Sequence, residues 1–265
     1  MQPMVIDASS IAAAAAGLWW PVLRVGGFIA AAPIVSAGTV PARIRVVLTL
    51  AITFLLAPAA SVPAGLSIFS GAGLVAAASE LLVGVAIGLV VQLAFEAFSF
   101  GGQLVGMTMG LGFANLVDPV RGANTTVIGQ FLMVLATLAY LSADGHLLLL
   151  GELANSFRAL PIGRGAEDQG LLFAVVLRGA TIFQAGLLIA LPAVVALIIV
   201  NIALGVVTRA APQLNLFGVG FPITLLAGYL VLFAGLGGIV EGMGGILREA
   251  LEAVAAMTAA PIRVH

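Results

Sequence analysis

Two apolar runs, each longer than a bilayer is thick, constrain this chain more than any other feature. Residues 72–110 and 171–208 are mostly Ala, Leu, Val, Ile, Gly and Phe, with a few polar residues between. As one helix at ~1.5 Å per residue, the first would be ~58 Å long, against a hydrocarbon core of ~30 Å. Such a helix must tilt, kink or project beyond the membrane. The rest of the chain has the same character: of 265 residues, 62% are hydrophobic and 8% charged. A soluble domain carries about 25% charged residues, so this chain cannot cover its surface with polar groups. Much of it must face lipid or the apolar faces of partner subunits. The expected fold class is all-α, of integral membrane type.

Four further segments surround these two. Residues 11–32 form the first, with Pro21 as a kink and Pro33 as a stop. This run lacks the positive n-region of a signal peptide, so it is expected to be retained as the first membrane element. Arg43 and Arg45 precede the second segment, residues 46–60, and the fourth covers 126–142. Between the fourth and fifth, "DGHLLLLGELANSFRALPIG" has an apolar centre too short to span and reads as a short interfacial or re-entrant helix. The sixth covers 223–246 and runs into an amphipathic tail with Arg248, Glu249 and Glu252. The first positive residue is Arg24, and the distribution of Arg places the N-terminus outside and the C-terminus in the cytoplasm.

The same composition rules out several classes. A net charge of −1 offers no basic stripe for nucleic acid. With no Cys, there are no disulfides, thiolate metal sites or Cys nucleophiles. No zinc-ligand spacing, P-loop or dinucleotide fingerprint occurs, so no metal or cofactor is expected. Ser142, Asp144 and His146 alternate over five residues, but triad members are brought together by a fold, and closeness in sequence does not indicate one.

Three patterns are informative. Gln92, Glu96, Ser99 and Gln103 fall within about 60° of one another on a helix. That polar stripe either lines a passage or makes interhelical hydrogen bonds. Glu80 lies about 160° from Glu96 and does not pair with it on that helix. Gly84 and Gly88, then Gly102, Gly106 and Gly110, and later Gly238 and Gly242, have the spacing that lets helix backbones approach closely. Met107 and Met109 are either a pliable seal or plain apolar filling. They precede the most unusual stretch, "FANLVDPVRGANTT". Irregular backbone at membrane depth survives only inside protein or beside a water-filled cavity. The loop is therefore either an ordinary exposed connection or folded into such a cavity. Its apolar start, Phe113, Leu116 and Val117, and its length exceed what a helix hairpin requires.

These residues resemble a known family. "GFANLVDPVRGANTTVIGQFLMVLATLAYLSADGHLLLLGELANSFRALPIG" and "ALPAVVALIIVNIALGVVTRAAPQLNLFGVGFPITLLAGYLVL" are similar to the FliR family of flagellar type III export-gate membrane proteins, with "DGH", "SFRALP", "RAAPQLN" and "GFP" in the same order. The resemblance covers residues 104–232 best. The virulence-secretion counterpart is the SctT family. The resemblance implies one export-gate subunit of long helical hairpins over 1–265, about 1–160 FliP-like and about 161–265 FliQ-like. It implies a non-enzymatic role in a bacterial inner-membrane complex at the flagellar basal body. The implied partners are FliP-like and FliQ-like subunits, FlhB-like and FlhA-like components, unfolded protein substrates and membrane lipid. In the family the loop after the third long helix plugs the pore. Here that assigns the seal to Phe113, Ala114, Asn115, Leu116 and Val117, the turn to Asp118 and Pro119, and support to Met107 and Met109. Arg209, Gln213 and Asn215 become assembly contacts. The competing reading is a secondary transporter of small solutes with Glu96 and Arg209 as charge sites at broken helices.

Overall fold

The computed structural model describes residues 8–63, 66–112, 126–163, 169–211 and 216–259. Among these residues every regular element is helical. The helices are α1 (Ala8–Ala31), α2 (Ala42–Leu56), α3 (Gly71–Thr108), α4 (Val127–Ser142), α5 (Gly145–Ala159), α6 (Gln169–Ala210) and α7 (Phe221–Ala259). A single 3₁₀ turn, Ala57–Ala59, follows α2, and a π turn, Leu216–Gly220, precedes α7. Among the described residues, four helices are long and apolar enough to cross a membrane by length and composition; α4 and α5 pass that test only when taken together.

The two long runs are indeed unbroken. α3 has 38 residues and α6 has 42, with Pro192 inside it. Pro21 likewise lies inside α1 without ending it, and the helix continues to Ala31. Local signals set most other boundaries. Pro41, at φ −58°, starts α2 at Ala42, four residues before the apolar run does. The Ser70 hydroxyl accepts from the Gly73 N–H at 3.0 Å at the start of α3, and Thr126 accepts from Gly129 at 3.1 Å at the start of α4. Asp144 takes the left-handed conformation, φ 54°, at the break between α4 and α5. The short helix predicted there is 15 residues long.

The chain divides into two compact units, and α3, α6 and α7 each contribute to both. The first unit is Met1–Gln92, Asp144–Arg178 and Ala250–His265. Its described part packs α1 against the first half of α3. The contact runs through glycines: a Cβ on Gly84 would collide with the backbone carbonyl of Arg24, and one on Gly88 would lie 2.7 Å from the Ala32 nitrogen. The Gly84/Gly88 spacing therefore does what such spacing does in membrane proteins, bringing two backbones together. Trp20, Ala76 and Ile162 form a small buried cluster beside it.

The second unit is Leu93–Ala143 and Gly179–Glu249. Its core gathers Val105, Met109, Ile128, Ala190, Ala193, Leu197 and Leu232 from α3, α4, α6 and α7. Here Gly102 meets Gly129, with a Cβ on the former 2.5 Å from the latter's Cα. Phe95 packs edge-on against Tyr140 and Phe100 against Phe183, with centroids 5.5 and 5.4 Å apart. Gly238 and Gly242 behave differently, having no neighbour within 4 Å of a built Cβ.

Gly84→Ala forces α1 away from α3 and is expected to destabilise the chain by roughly 1–3 kcal/mol, the usual cost of overpacking. Gly151→Ala, on an exposed face with open space around it, is expected to add stability of up to about 1 kcal/mol through helix propensity. Thermal loss of helical signal in detergent checks both. Equal melting temperatures for the two variants would contradict the contact.

Candidate functional site

A charged side chain inside an apolar helix needs a partner or water, so such residues mark what the fold must accommodate. Arg24 on α1 and Glu80 on α3 are both fully buried. Arg24 Nε donates to Glu80 Oε2 at 2.7 Å. Nη1 donates to the Ser156 carbonyl at 2.7 Å and the Ser156 hydroxyl at 3.2 Å, and Nη2 donates to the Leu160 carbonyl at 2.8 Å. The guanidinium carbon stands 4.5 Å from the centre of the Phe157 ring. Glu80 Oε1 accepts from the Gly163 N–H at 3.3 Å. All three guanidinium nitrogens are thus engaged. The planar fork suits this arrangement better than a lysine would, and it caps carbonyls at the C-terminal end of α5, where positive charge is favoured.

This cluster gives a physical meaning to "SFRALP": Ser156, Phe157 and Leu160 all touch Arg24, whereas Arg158 in the same motif is exposed. Spacing could not reveal the pair, because 56 residues separate its members. The usable signal was an Arg alone in one apolar run and an acid in another. Arg24→Met leaves Glu80 charged and buried without its partner, and a loss of about 3–5 kcal/mol is expected. Arg24→Met combined with Glu80→Leu is expected to recover most of that loss. A double-mutant thermal series checks this, and additive losses would refute the pairing.

The second locus is the end of α3. Gly110, at φ 84°, stops the helix: the Leu111 N–H donates to the Gly106 carbonyl at 2.9 Å and the Gly110 N–H to Met107 at 3.0 Å. This is the Schellman pattern, and glycine is favoured at its left-handed position. It leaves the Thr108 carbonyl unpaired within the helix. Asn201 on α6 supplies the donor, its Nδ2 lying 3.2 Å from that carbonyl. Asn201 Oδ1 accepts from the Thr224 hydroxyl of α7 at 3.2 Å, and Thr224 also lies 3.0 Å from the Gly220 carbonyl. Neither Asn201 nor Thr224 stands out in the sequence.

Phe113, Ala114, Asn115, Leu116, Val117, Asp118 and Pro119 lie outside the described residues, as do Gln213 and Asn215. Met109 is fully buried in the second unit's core, against Gly228, while Met107 is exposed. The two are about 200° apart on the helix and share no face. Of the polar stripe, Ser99 is buried, Gln92 and Gln103 are half-buried and Glu96 is exposed, so its members do not share one environment. Arg209 is exposed in the last turn of α6, where it complements the helix dipole. Ser142 donates to the Ala139 carbonyl of its own helix at 3.0 Å. An open cleft of about 400 Å³ is lined by Glu152, Asn155, Arg158 and Thr258, and Thr258 donates to Glu152 at 2.5 Å.

Long apolar helices, glycine-mediated backbone contacts and a buried ion pair define a helical protein of membrane type. More particularly, the chain belongs to the family of bacterial export proteins, family 1, whose pattern it matches over residues 15–250. It is 40% identical over 217 residues to the flagellar biosynthetic protein FliR of Escherichia coli, covering 82% of each chain. Over 215 residues it is 41% identical to FliR of Pectobacterium carotovorum, covering 81% of this chain and 82% of the relative. FliR of Bacillus subtilis is 29% identical over 213 residues, 79% of this chain and 82% of that one.

Proposed function

We propose that this chain is a FliR-type subunit of the flagellar type III protein export apparatus. The observation that carries this reading is the family match across most of the chain, with 40% identity to a flagellar biosynthetic protein over 82% of its length. The apolar exterior supports it. In the long helices α6 and α7, Phe183, Ile199, Ile202, Leu226 and Phe233 are all exposed in the isolated subunit, a surface that lipid or neighbouring subunits must cover. The role is structural and non-enzymatic: the chain helps form the pore through which unfolded substrates leave. Its setting is the bacterial inner membrane at the flagellar basal body, with the C-terminus in the cytoplasm. Its partners are FliP-like and FliQ-like subunits and, beyond them, FlhB-like and FlhA-like components. The division into a FliP-like part, about 1–160, and a FliQ-like part, about 161–265, belongs to the same reading.

Within that pore, residues 113–117 act as the plug and Asp118-Pro119 as its turn. The support for this is the stop that Gly110 makes at the end of the 38-residue helix α3, shortly before Phe113, Ala114, Leu116 and Val117, four apolar residues around Asn115. An apolar constriction excludes water and ions without any charge. Met107, exposed at the end of α3, is the methionine available to line the seal; Met109 holds the helix end in the core. Glu96 is the member of the polar stripe open to a passage, and Ser99 serves packing. Arg209, Gln213 and Asn215 are assembly contacts. A solute transporter with charge sites at Glu96 and Arg209 is not favoured, because the relatives are flagellar proteins across the length of the match.

Two measurements test this. A tag on this chain is expected to recover a stoichiometric complex with other small hydrophobic proteins; a well-behaved homo-oligomer would argue for the transporter instead. Deleting Phe113–Val117 is expected to raise ion conductance of membranes holding the assembled complex, and Phe113→Ala to do so less strongly. Conductance equal to that of the intact assembly would remove the plug.

A further inference from the structure

We infer that the cleft between α5 and the end of α7 binds a phospholipid whose headgroup carries a primary ammonium beside its phosphodiester. Glu152 takes the ammonium, Arg158 takes the phosphate, and the acyl chains lie along the exposed apolar end of α5. All of these residues belong to the first unit.

The cleft carries both charges. Glu152, Asn155, Arg158 and Ala159 come from α5, and Ala255 and Thr258 from α7, around about 400 Å³, a volume within the range of small-molecule sites. Thr258 is buried, and its one hydroxyl proton goes to Glu152 Oε2 at 2.5 Å. The Val254 and Ala255 carbonyls of its own helix lie farther off, at 3.2 and 3.1 Å, and are uncharged. That bond fixes the carboxylate in the cleft wall. Oε1 has no partner among the described residues, and neither has Asn155 or Arg158, both open to a ligand from outside. The acid and the guanidinium do not neutralise each other: six positions apart, they stand about 120° apart round the helix. Two opposite charges that share a cleft without pairing match a zwitterion. The planar fork of Arg158 suits a phosphodiester. A primary ammonium has donors for the carboxylate, which a trimethylammonium lacks.

The same helix face supplies an apolar part. Leu148, Glu152, Asn155 and Ala159, spaced i, i+4, i+7 and i+11, fall within about 60° of one another on α5. Leu147 and Leu148 are exposed. Gly151, between them and the cleft, has no atom within 4 Å of a built Cβ and leaves the way along the helix open. From Leu148 to Asn155 the face turns from apolar to polar over roughly 10 Å. A helix lying at the boundary of headgroups and acyl chains presents that change. A water-soluble zwitterion would leave Leu147 and Leu148 bare.

The test uses the full chain in detergent, recovered through a tag together with the proteins that co-purify with it. Phosphatidylethanolamine, phosphatidylglycerol and phosphatidylcholine with identical acyl chains are titrated in turn, and bound lipid is read by native mass spectrometry. Phosphatidylethanolamine is expected to fill a site at about tenfold lower concentration than the other two, the factor that one charge-assisted hydrogen bond provides. Glu152→Gln, similar in size and still able to accept from Thr258, is expected to abolish that preference while leaving phosphatidylglycerol binding intact. Arg158→Gln is expected to weaken both lipids about tenfold. A merely structural role would move all lipids alike in both variants. Phosphoethanolamine without acyl chains is expected not to compete at the concentrations at which the lipid fills the site. Equal filling by the three lipids overturns the inference without calling on any variant to fold. Competition by free phosphoethanolamine at the lipid's own concentration also overturns it, making the ligand a soluble zwitterion. So does unchanged lipid binding in both variants with loss of a co-purifying protein, which would assign the cleft to a neighbouring subunit.

Discussion

A guanidinium sealed from water is stable only when its charge and its donors are matched, and Arg24 meets both conditions at once. Its ion pair with Glu80 joins α1 to α3, and its bonds to Ser156 and Leu160 bring in the end of α5. Three elements far apart in sequence thus share one point that none can leave without stranding a charge. Stability is not the main consequence, since a well-packed apolar replacement is often as stable as a buried pair. What the pair adds in an exterior this uniform is register. Apolar helices slide past one another at little cost, whereas a buried Arg has one place where its partners are.

Glycine supplies the complementary constraint. α1 and α3 come close enough at Gly84 for the carbonyl of Arg24 itself to occupy the space a Cβ would need. The ion pair and the glycine contact are therefore adjacent features of one interface, the first selecting the register and the second allowing the approach. In the second unit, Gly102 against Gly129 plays the second part, and the Asn201 amide, with Thr108 and Thr224, takes a role like that of the ion pair without carrying charge. In both units a few polar groups specify what a large apolar surface leaves undetermined.

Much of this was legible in advance. The long runs become single helices because nothing in them breaks the 3.6-residue repeat strongly enough. Pro21 and Pro192 are tolerated inside helices, and α1 ends at Ala31, beside the stop expected at Pro33. The Gly84/Gly88 spacing was readable as close packing, and that is where α1 lies. Other glycines with the same spacing, Gly238 and Gly242, touch nothing in the subunit, because spacing announces that an approach is possible and not which helix makes it. The polar stripe was legible as a period but not as an environment: burial of Ser99 and exposure of Glu96 depend on which neighbours cover each turn. Met107 and Met109 illustrate the same limit, since their separation by two residues places one in the core and the other outside it.

By itself, then, the sequence determined the helical class, the membrane character and the family, because these follow from hydropathy, period and motif order, all of which are local or linear. It also marked the polar loop as out of place among its neighbours. Only the tertiary structure decided which charges meet and which carbonyls at helix ends find donors. Arg24 with Glu80 and Asn201 with Thr108 are separated by 56 and 93 positions. A hydrogen bond is a fact about a few ångströms of space, and chain folding can bring any two positions within that distance.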